Sequence, residues 1–311
     1  MRVAILMSTF NGAQFVGEQV ASILLQLPAD GILIVRDDGS TDDTVACIEA
    51  FDDLRIHITR GQNLGFAHSF LTLLARAPED AEMVMFSDQD DVWLSGKIEK
   101  AWRQLLPYEG LPALYCSAQT LTDEALVPLE VTRRWPRGPS FHGALAENIV
   151  TGCTAALNRA ATTLLKRAGV DPGIRFHDWW AYLVVTAFGK VVVDDEATLL
   201  YRQHGSNVIG HGIGWWGRQM QMLVFLRAHD WVGILLAQVL ALRVHYWNEL
   251  APHRQQVLDR YFRVQDGRAT ARWRLVFSLC RWRQSSLQEL MFRGLLSLHM
   301  LRVWPPPSRR L

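Results

Sequence analysis

The first 122 residues alternate short apolar runs with segments whose apolar residues recur at helical spacing. The runs VAILMST (3–9), GILIVRDDGS (31–40), RIHITR (55–60), EMVMFSD (82–88) and ALYCSAQTLT (113–122) predict strands. The intervening segments 14–27, 43–51, 63–77 and 95–106 predict helices. A continuous apolar run is typical of a strand that is covered on both faces. Strands that alternate with helices form a mainly parallel sheet between helical layers, so the sequence predicts an α/β fold.

Polar clusters follow three of these strands where each one ends. The clusters are STFNG (8–12), DDGSTDD (37–43) and SDQDD (87–91). Open parallel sheets bind ligands beyond the carboxyl ends of their strands, so we expect the clusters to meet at one edge. In the third cluster, Asp88, Asp90 and Asp91 raise one another's pKa unless a cation lies between them. The alternative is a solvated acidic turn, or a helix N-terminus whose dipole favours acids.

The pattern is less regular beyond residue 122. Residues 123–146 include Pro128, Pro136 and Pro139, and they predict an insertion or a flexible loop. The segments that follow predict a glycine turn with a helix (147–169), a helix (176–189) and two strands (190–195 and 197–207).

The net charge of +1 hides a division of the chain. Residues 1–214 carry 17 Lys and Arg against 26 Asp and Glu, whereas residues 215–311 carry 15 arginines against 5 acids. Seven of the 12 tryptophans also lie in that last third. A change of this size predicts two parts with different partners.

Neither the cysteines nor the apolar segments predict an exported or membrane-spanning chain. The four cysteines are isolated, which disfavours a zinc site or disulfide framework and suits a reducing cytoplasm. The start MRVAILMSTF lacks a small-residue cleavage site and is interpreted as a strand rather than a signal peptide. The longest uncharged apolar run, WVGILLAQVLAL, has 12 residues, whereas a span needs about 20. We therefore expect a cytoplasmic protein.

Seven motifs in this order resemble those of the inverting family-2 glycosyltransferases of the GT-A fold, most closely the bacterial rhamnosyltransferase-like branch. The motifs are STFNG, DDGSTDDT, NLGFAHSF, SDQDDVW, GCT, HDWW and YRQHGSN. The resemblance covers about residues 1–210, and the basic last third matches nothing as specific. It implies a GT-A catalytic domain over 1–212, with a donor half (about 1–122) and an acceptor half (about 123–212). A basic, Trp-rich helical region over 213–311 would follow.

The resemblance implies that SDQDDVW holds the diphosphate of a nucleotide-sugar donor together with Mg²⁺ or Mn²⁺. Either cation accepts carboxylate and phosphate oxygens. Asp90, the second acid of the DxD element, would be the direct ligand, and Asp88 would hold the ribose or a metal-bound water. Asp91 would orient the site or touch the donor sugar. The cation would stabilise the leaving nucleoside diphosphate.

The segment DDGSTDDT implies a nucleotide contact. In the family, the acid at Asp38 accepts a hydrogen bond from the nucleobase or ribose, and Gly39 allows close backbone approach. Ser40 is expected to be structural, and the alternative reading of the segment is an Asp-Gly-Ser turn followed by a helix cap. The residues expected near the base are Thr9, Phe10, Asn11 and Asn63, together with Arg60, which could equally be an unpaired surface side chain.

The motif HDWW contains the candidate base. An inverting transfer needs a carboxylate that takes the acceptor hydroxyl's proton as that oxygen attacks the anomeric carbon, and the resemblance assigns this role to Asp178. The aromatic residues after Asp178 could raise its pKa by excluding water, or Asp178 could simply cap the helix. Trp179 could stack on the acceptor sugar. The family usually has an acid before the base, and His177 stands there in this chain.

The remaining motifs imply further contacts. Gly152, Cys153 and Thr154 are expected to form a tight turn under the acceptor. His204 would complete the metal shell from a closing loop, although a lone histidine is more often structural. Arg202 would pair with the diphosphate through charge-assisted hydrogen bonds.

The segments 215–250 and 268–304 combine arginines with aromatic and aliphatic residues at roughly helical spacing. Such segments could bind an anionic membrane surface and bring the enzyme to a lipid-linked acceptor, peripherally on the inner face of a bacterial plasma membrane. The alternative is a helical hairpin packed on the catalytic domain or against a second subunit of a homo-oligomer. Nucleic acid is not an expected partner because no reading motif is present.

The sequence thus predicts a metal-dependent inverting glycosyltransferase of bacterial surface-glycan synthesis. Its donor is expected to be dTDP-rhamnose and its acceptor a glycan or an undecaprenyl-linked sugar, and the rhamnose rests on the resemblance alone. A UDP-hexose or UDP-N-acetylhexosamine is the nearest alternative donor.

A nucleotidyltransferase is disfavoured because LMSTFNGAQFVGEQ has no basic residue. An oxidoreductase is disfavoured because no GxGxxG follows the first strand. A non-catalytic scaffold recruited to a membrane is the alternative of another class.

Overall fold

The computed structural model describes residues 1–132, 135–205, 231–262 and 282–300. Its strands are β1 (Val3–Thr9), β2 (Ile32–Asp37), β3 (Ile56–Arg60), β4 (Met83–Ser87), β5 (Val92–Trp93), β6 (Ala113–Thr122), β7 (Pro128–Val131), β8 (Ala156–Asn158) and β9 (Lys190–Arg202). Its helices are α1 (Val16–Leu24), α2 (Thr44–Glu49), α3 (Phe66–Arg76), α4 (Lys97–Leu105), α5 (Phe141–Ala144), α6 (Arg159–Lys166), α7 (His177–Phe188), α8 (Trp231–Tyr246), α9 (Pro252–Phe262) and α10 (Ser286–Met300).

These strands form one sheet in the order β3-β2-β1-β4-β8-β6-β9-β5, with β7 paired to β6. The neighbours β3, β2, β1 and β4 are parallel, as are β6 and β9, while β8 joins the two groups in antiparallel pairs. The register places Thr9 opposite Asp37 and Met7 opposite Ser87. The carboxyl ends of β1, β2 and β4 therefore meet at one edge, and the predicted α/β fold is confirmed.

Strand β1 lies at the centre of the core because both of its faces are apolar. Its residues 3–7 are fully buried. Since successive side chains of a strand point to opposite faces, Ala4 and Leu6 pack against α3 and α7, whereas Ile5 and Met7 pack against α1 and α4. Two hydrophobic clusters thus hold the sheet between helical layers.

The predicted strands 190–195 and 197–207 are one strand, β9. Ser117 of β6 lies opposite Asp194 and Ala118 lies opposite Ala197, so two residues of β9 have no counterpart there. Such a bulge lets a strand continue through residues that do not fit its pairing. The prediction that a strand ends at these acids is therefore wrong. At the bulge, Lys100 forms ion pairs with both Asp194 and Glu196.

The described C-terminal helices pack on the sheet domain. Leu235, Val239 and Leu242 of α8 are buried in the same cluster as α7, and so are Trp282 and Phe292. Among the described residues no helix is long and apolar enough to cross a membrane. The predicted segments 215–250 and 268–304 lie partly outside the described residues, and membrane contact by this region stays a prediction.

Candidate active site

A cavity of about 820 Å³ opens at the carboxyl ends of β1, β2 and β4. Two groups of residues line it: residues 8–11, 38 and 88–90 are called the strand-end wall, and residues 148–152 and 176–178 are called the helix wall. The cavity is lined by ten of the predicted site residues: Thr9, Phe10, Asn11, Asp38, Asn63, Asp88, Asp90, Gly152, Asp178 and His204. The remaining ones, Gly39, Asp91, Cys153, Thr154, Trp179 and Arg202, do not line it.

Carboxyl groups accumulate directly after β4. Burial, aided by the negative charges of Asp90 and Asp178, raises the pKa of Asp88 to about 7. Burial also raises the pKa of Asp91 well above its usual range, and the charges of Asp90 and Asp88 act in the same direction. Because ionised carboxylates repel one another where water is excluded, this cluster is stabilised by a proton or by a cation.

The donor atoms of the cluster suit a hard divalent cation. One ligand atom each of Asp88, Asp91 and Cys153 lies within 4.8 Å of the others. Burial raises the pKa of the Cys153 thiol well above its usual range, so this sulfur stays protonated and is a poor metal ligand. The carboxylate oxygens are the ligands that Mg²⁺ and Mn²⁺ prefer. The described residues therefore include an acidic site that fits such an ion.

His204 reaches this cluster from the loop after β9. Its Nε2 lies 2.8 Å from Oδ2 of Asp90, and its ring packs against Phe15 with the ring centroids 4.8 Å apart. The contact brings the loop after β9 onto the loop after β4. Asp90 and His204 thus lie side by side at the cavity.

The carboxylate of Asp38 is held in place by an ion pair and by backbone hydrogen bonds. Its carboxylate forms an ion pair with Arg36 and accepts the backbone N–H groups of Leu64 at 2.8 Å and Gly65 at 2.9 Å. A carboxylate offers about four lone-pair sites, so these three contacts leave one site on Oδ2 unused. The sequence analysis missed Arg36, whose buried guanidinium fixes Asp38 and also donates to the carbonyl of Gln62 at 2.8 Å.

Gln89, between the two acids of the DxD element, is a second residue that the sequence analysis missed. Its amide accepts the N–H of Phe10 at 2.8 Å and donates to the carbonyl of Phe10 at 3.0 Å. This pair of bonds joins the loop after β4 to the end of β1. Phe10 itself is 45% exposed and lines the cavity.

The other residues expected near the base shape the loops. Thr9 donates its hydroxyl to Asp37 at 3.1 Å, and the side-chain oxygen of Asn11 accepts the N–H of Thr41 at 2.8 Å. Gly39 has a φ of +89°, a region that favours glycine, and a Cβ there would lie 3.3 Å from the carbonyl oxygen of Gly61. Glycine at position 39 therefore allows the loop after β2 to lie against the loop after β3.

Arg60 pairs with Glu49 at 2.9 Å, and its side chain is 65% exposed. It does not line the cavity. Arg60 is therefore a paired surface side chain, and both expectations for it, a contact with the base and an unpaired side chain, are wrong.

Asp178 faces the acid cluster from the helix wall. It lies in the first turn of α7, where its Oδ1 accepts the N–H of Trp179 at 2.7 Å. Burial raises the pKa of Asp178 to about 6, although hydrogen bonds from Trp179, Asn148 and Gly152 oppose the rise. A carboxylate with a pKa near neutrality that faces a cavity has the properties of a general base.

The predicted tight turn is present at Gly152–Thr154, and the acceptor contacts of Cys153, Thr154 and Trp179 stay predictions, because none of these three residues lines the cavity. Cys153 and Thr154 are buried in the short helical turn Gly152–Thr154. Trp179 is only 2% exposed, and its indole N–H donates to the carbonyl of Ala144 at 2.7 Å. The ring belongs to the core because α7 is apolar around its whole circumference. Only Gly152 of this group reaches the cavity.

Arg202 is also placed differently from the prediction of a diphosphate contact. Its Nε donates to the carbonyl of Asp90 at 2.9 Å, its guanidinium pairs with Glu18, and the group lies 4.6 Å from the ring centre of Phe15. A further bond reaches the carbonyl of Glu124. Arg202 thus ties the loop after β4 to α1, and the backbone N–H of Arg202 donates to Asp91 at 3.3 Å.

Comparisons with known proteins identify the family. Residues 4–160 match the profile of Glycosyl transferase family 2. The dTDP-rhamnosyl transferase RfbG of Shigella flexneri is 28% identical over 67% of this chain and 74% of its own length. The UDP-Glc:alpha-D-GlcNAc-diphosphoundecaprenol beta-1,3-glucosyltransferase WfgD of Escherichia coli is 27% identical over 59% of this chain and 69% of its own length.

The fold has solved counterparts. The crystal structure of S. aureus TarS 1–349 in complex with UDP-GlcNAc superimposes with a TM-score of 0.61 at 13% identity, over 98% of this chain and 82% of that one. Likeness at this identity concerns the fold, and it confirms the GT-A architecture expected from the motifs. Because the family profile extends from β1 into α6 and so spans half of the chain, this protein belongs to glycosyl transferase family 2 and is a glycosyltransferase.

Proposed function

We propose that the protein transfers a sugar, with inversion, from a nucleotide-sugar to a hydroxyl of a bacterial glycan acceptor. The observation that carries the proposal is the position of Asp178, which shares one cavity with Asp88 and Asp90. A site for the donor's diphosphate and a base for the acceptor's hydroxyl then face each other across the space in which a sugar would lie.

Asp178 acts as the general base. Its carboxylate takes the proton of the attacking hydroxyl while that oxygen forms a bond to the anomeric carbon. The bond between the anomeric carbon and the nucleoside diphosphate breaks at the same time, and the diphosphate leaves with the electron pair. Burial holds the pKa of Asp178 at about 6, so the group is mostly ionised at pH 7 yet more basic than an exposed aspartate.

Asp88, Asp90 and His204 would hold Mg²⁺ or Mn²⁺. When bound, the cation supplies positive charge that offsets the charge of the diphosphate as it leaves. Asp91 lies behind these residues and supports them, because it accepts the N–H of Arg202 while Arg202 donates to the carbonyl of Asp90. Asp91 therefore positions the site rather than touching the sugar.

The nucleoside would lie between Phe10 and Asp38. The exposed ring of Phe10 offers a face on which a base can stack, and the remaining lone pair of Asp38 can accept an N–H of the base or a hydroxyl of the ribose. Thr9, Asn11 and Asn63 complete this end of the cavity.

We propose dTDP-rhamnose as the donor and a lipid-linked or polysaccharide sugar as the acceptor. The similarity to a dTDP-rhamnosyl transferase supports the donor, and the similarity to a transferase that acts on a diphosphoundecaprenol-linked sugar supports the acceptor. The excess of arginine over residues 215–311 supports a contact of the region 213–311 with an anionic membrane surface. The catalytic domain is proposed to span 1–212.

Calorimetric titration of dTDP and UDP, each with and without Mn²⁺, tests the donor half of the proposal. We expect tighter binding of dTDP with Mn²⁺ present, and loss of the Mn²⁺ effect in Asp90→Ala because a metal ligand is missing. The exposed Glu79 provides the control, since Glu79→Ala removes a carboxylate that does not line the cavity. Binding of neither nucleotide to the folded protein would contradict the proposal.

A further inference from the structure

A short segment of the C-terminal region lies against the loop that leads into the helix wall. Arg283 donates from Nη1 to the carbonyl of Ala146 at 2.6 Å, and its Nη2 lies 3.7 Å from Oε1 of Glu147. The backbone N–H of Gln284 donates to Oε2 of Glu147 at 2.7 Å. Both members of the ion pair are buried, with Glu147 6% and Arg283 8% exposed. These contacts fix the backbone immediately before Asn148, the first residue of the helix wall.

The C-terminal segment is itself held in place by α10. Oε2 of Glu289, in the first turn of that helix, accepts the backbone N–H groups of Trp282 and Arg283, each at 2.8 Å. The side chain of Gln284 makes a further contact with the loop before the helix wall, because its Oε1 accepts the N–H of Arg137 at 2.9 Å. Helix α10 therefore fixes the segment, and the segment fixes the loop.

Asn148 connects the anchored loop to the proposed base. It lines the cavity, and its side-chain oxygen accepts the N–H of Val150 at 3.0 Å. Its amide nitrogen is the donor that remains for the hydrogen bond from this side chain to the carboxylate of Asp178. Since Glu147 and Asn148 are consecutive, a shift of Glu147 moves Asn148 and with it a donor that orients Asp178. Burying an ion pair costs desolvation free energy. The pair at Glu147 supplies in return a fixed position for the residue that follows it.

We propose that Glu147, held by Arg283 and Gln284, is a positioning residue of the transfer reaction and acts on Asp178 through Asn148. The inference rests on the proposed role of Asp178 as the base. The two residues that hold Glu147 lie beyond the proposed domain boundary at 212, so the C-terminal region has a part in the reaction besides any membrane contact. The carboxylate of Asp178 is fully aligned only while this segment is docked.

The test is a double-mutant cycle on the purified full chain, with dTDP-rhamnose as donor and a synthetic, short-chain lipid-diphosphate-linked GlcNAc as acceptor. We expect Glu147→Ala and Asn148→Ala each to lower kcat about tenfold at unchanged affinity for dTDP, because the base is misplaced while the strand-end wall is intact. If Glu147 acts through Asn148, the double variant should be no slower than the slower single variant. Effects that multiply to about 100-fold would overturn the inference. Glu147→Gln keeps the shape and an oxygen for the N–H of Gln284, so it should fold and recover part of the kcat.

The matched control is Glu249→Ala. Glu249 pairs with Arg167 and so also joins the C-terminal region to the sheet domain, but neither residue lines the cavity. This variant should keep the wild-type kcat, and a tenfold fall in it would overturn a specific path through Glu147.

Hydrogen–deuterium exchange tests the inference without turnover. The amides of residues 148–152 should exchange faster in Glu147→Ala than in the wild type or in Glu249→Ala, and unchanged exchange there would contradict the positioning role. The proposed base is judged separately, since full activity of Asp178→Asn contradicts the base, whereas multiplying effects in the cycle contradict the role of Glu147. The two failures are therefore distinguishable.

Discussion

The strand-end wall and the helix wall differ in how far their polar side chains are paired within the protein. On the strand-end wall, Asp38 and Gln89 are occupied by hydrogen bonds with neighbouring loops. On the helix wall, the nitrogens of His177 have no partner among the described residues. Burial raises the pKa of a carboxyl group on each wall, that of Asp88 to about 7 and that of Asp178 to about 6. Groups that are already paired hold a fixed shape, whereas unpaired buried groups gain most from a ligand.

This difference suggests that the strand-end wall binds the donor and that the helix wall selects the acceptor. A donor diphosphate and its cation need ligands at fixed distances, and the paired loops of the strand-end wall provide such rigidity. An acceptor must be distinguished from other sugars, and unpaired polar groups discriminate strongly because a wrong ligand leaves them unsatisfied. On the proposed function, donor binding and acceptor choice are therefore separable by mutation.

Gly152→Ala should affect the helix wall most. Its Cβ would lie 2.7 Å from Nε2 of His177, closer than nonbonded atoms approach, so the ring or the loop 148–152 must move. A displacement of this size next to reacting groups lowers kcat/KM by about 100-fold. Steady-state transfer assays measure the fall, and dTDP titration should show unchanged donor affinity. Gly17→Ala is the control, because a Cβ there meets nothing within 4 Å. An equal loss of donor affinity and of transfer rate would contradict the claim that the helix wall does not contribute to donor binding.

The pH dependence of the transfer rate should reveal the ionisation of Asp178 on the helix wall. Burial raises the pKa of Asp178 to about 6, and a base acts only when it is ionised. Below this pKa the carboxyl group is protonated, so kcat/KM should fall about tenfold between pH 7 and pH 5 and level off above pH 7. A pH series at saturating Mn²⁺, with nucleotide affinity followed in parallel, checks the assignment. A profile that is flat through pH 6 would contradict it.

Gln89→Ala should affect the strand-end wall only. The substitution removes two hydrogen bonds to the backbone of Phe10, and looser positioning of that loop should weaken dTDP binding about fivefold. The acceptor KM should stay unchanged, which steady-state kinetics at saturating donor would show. Gln104→Ala, on the exposed side of α4, is the matched control. A raised acceptor KM in Gln89→Ala would mean that the walls are coupled.

The sequence predicted the strand-end wall better than the helix wall. β1 has the predicted bounds, Val3–Thr9, because a buried strand of a parallel sheet is a continuous apolar run. β6 also has the predicted bounds, Ala113–Thr122. The meeting of the three polar clusters followed from the rule for carboxyl ends of parallel strands. Each of these features is local in sequence or fixed by the sheet.

The missed features depend on contacts between distant parts of the chain. The side chain of Gln89 bonds to Phe10, 79 residues away, and no periodicity signals such a pair. The isolation of His177 requires Phe70 and Phe86 to lie around it, and the burial of Trp179 requires the carbonyl of Ala144. Motifs identified the residue types of the helix wall, but packing decides which of them face the cavity.

The most direct test of the account is the effect of Asp178→Asn on donor binding and on transfer in the same preparation. The amide keeps the size of the side chain but cannot take a proton, so we predict a fall in kcat of about 100-fold to 10,000-fold. The affinity for dTDP with Mn²⁺ should remain that of the wild type, because the strand-end wall is intact. Transfer at the wild-type rate by Asp178→Asn would contradict the central claim that a base on the helix wall acts on an acceptor across the cavity.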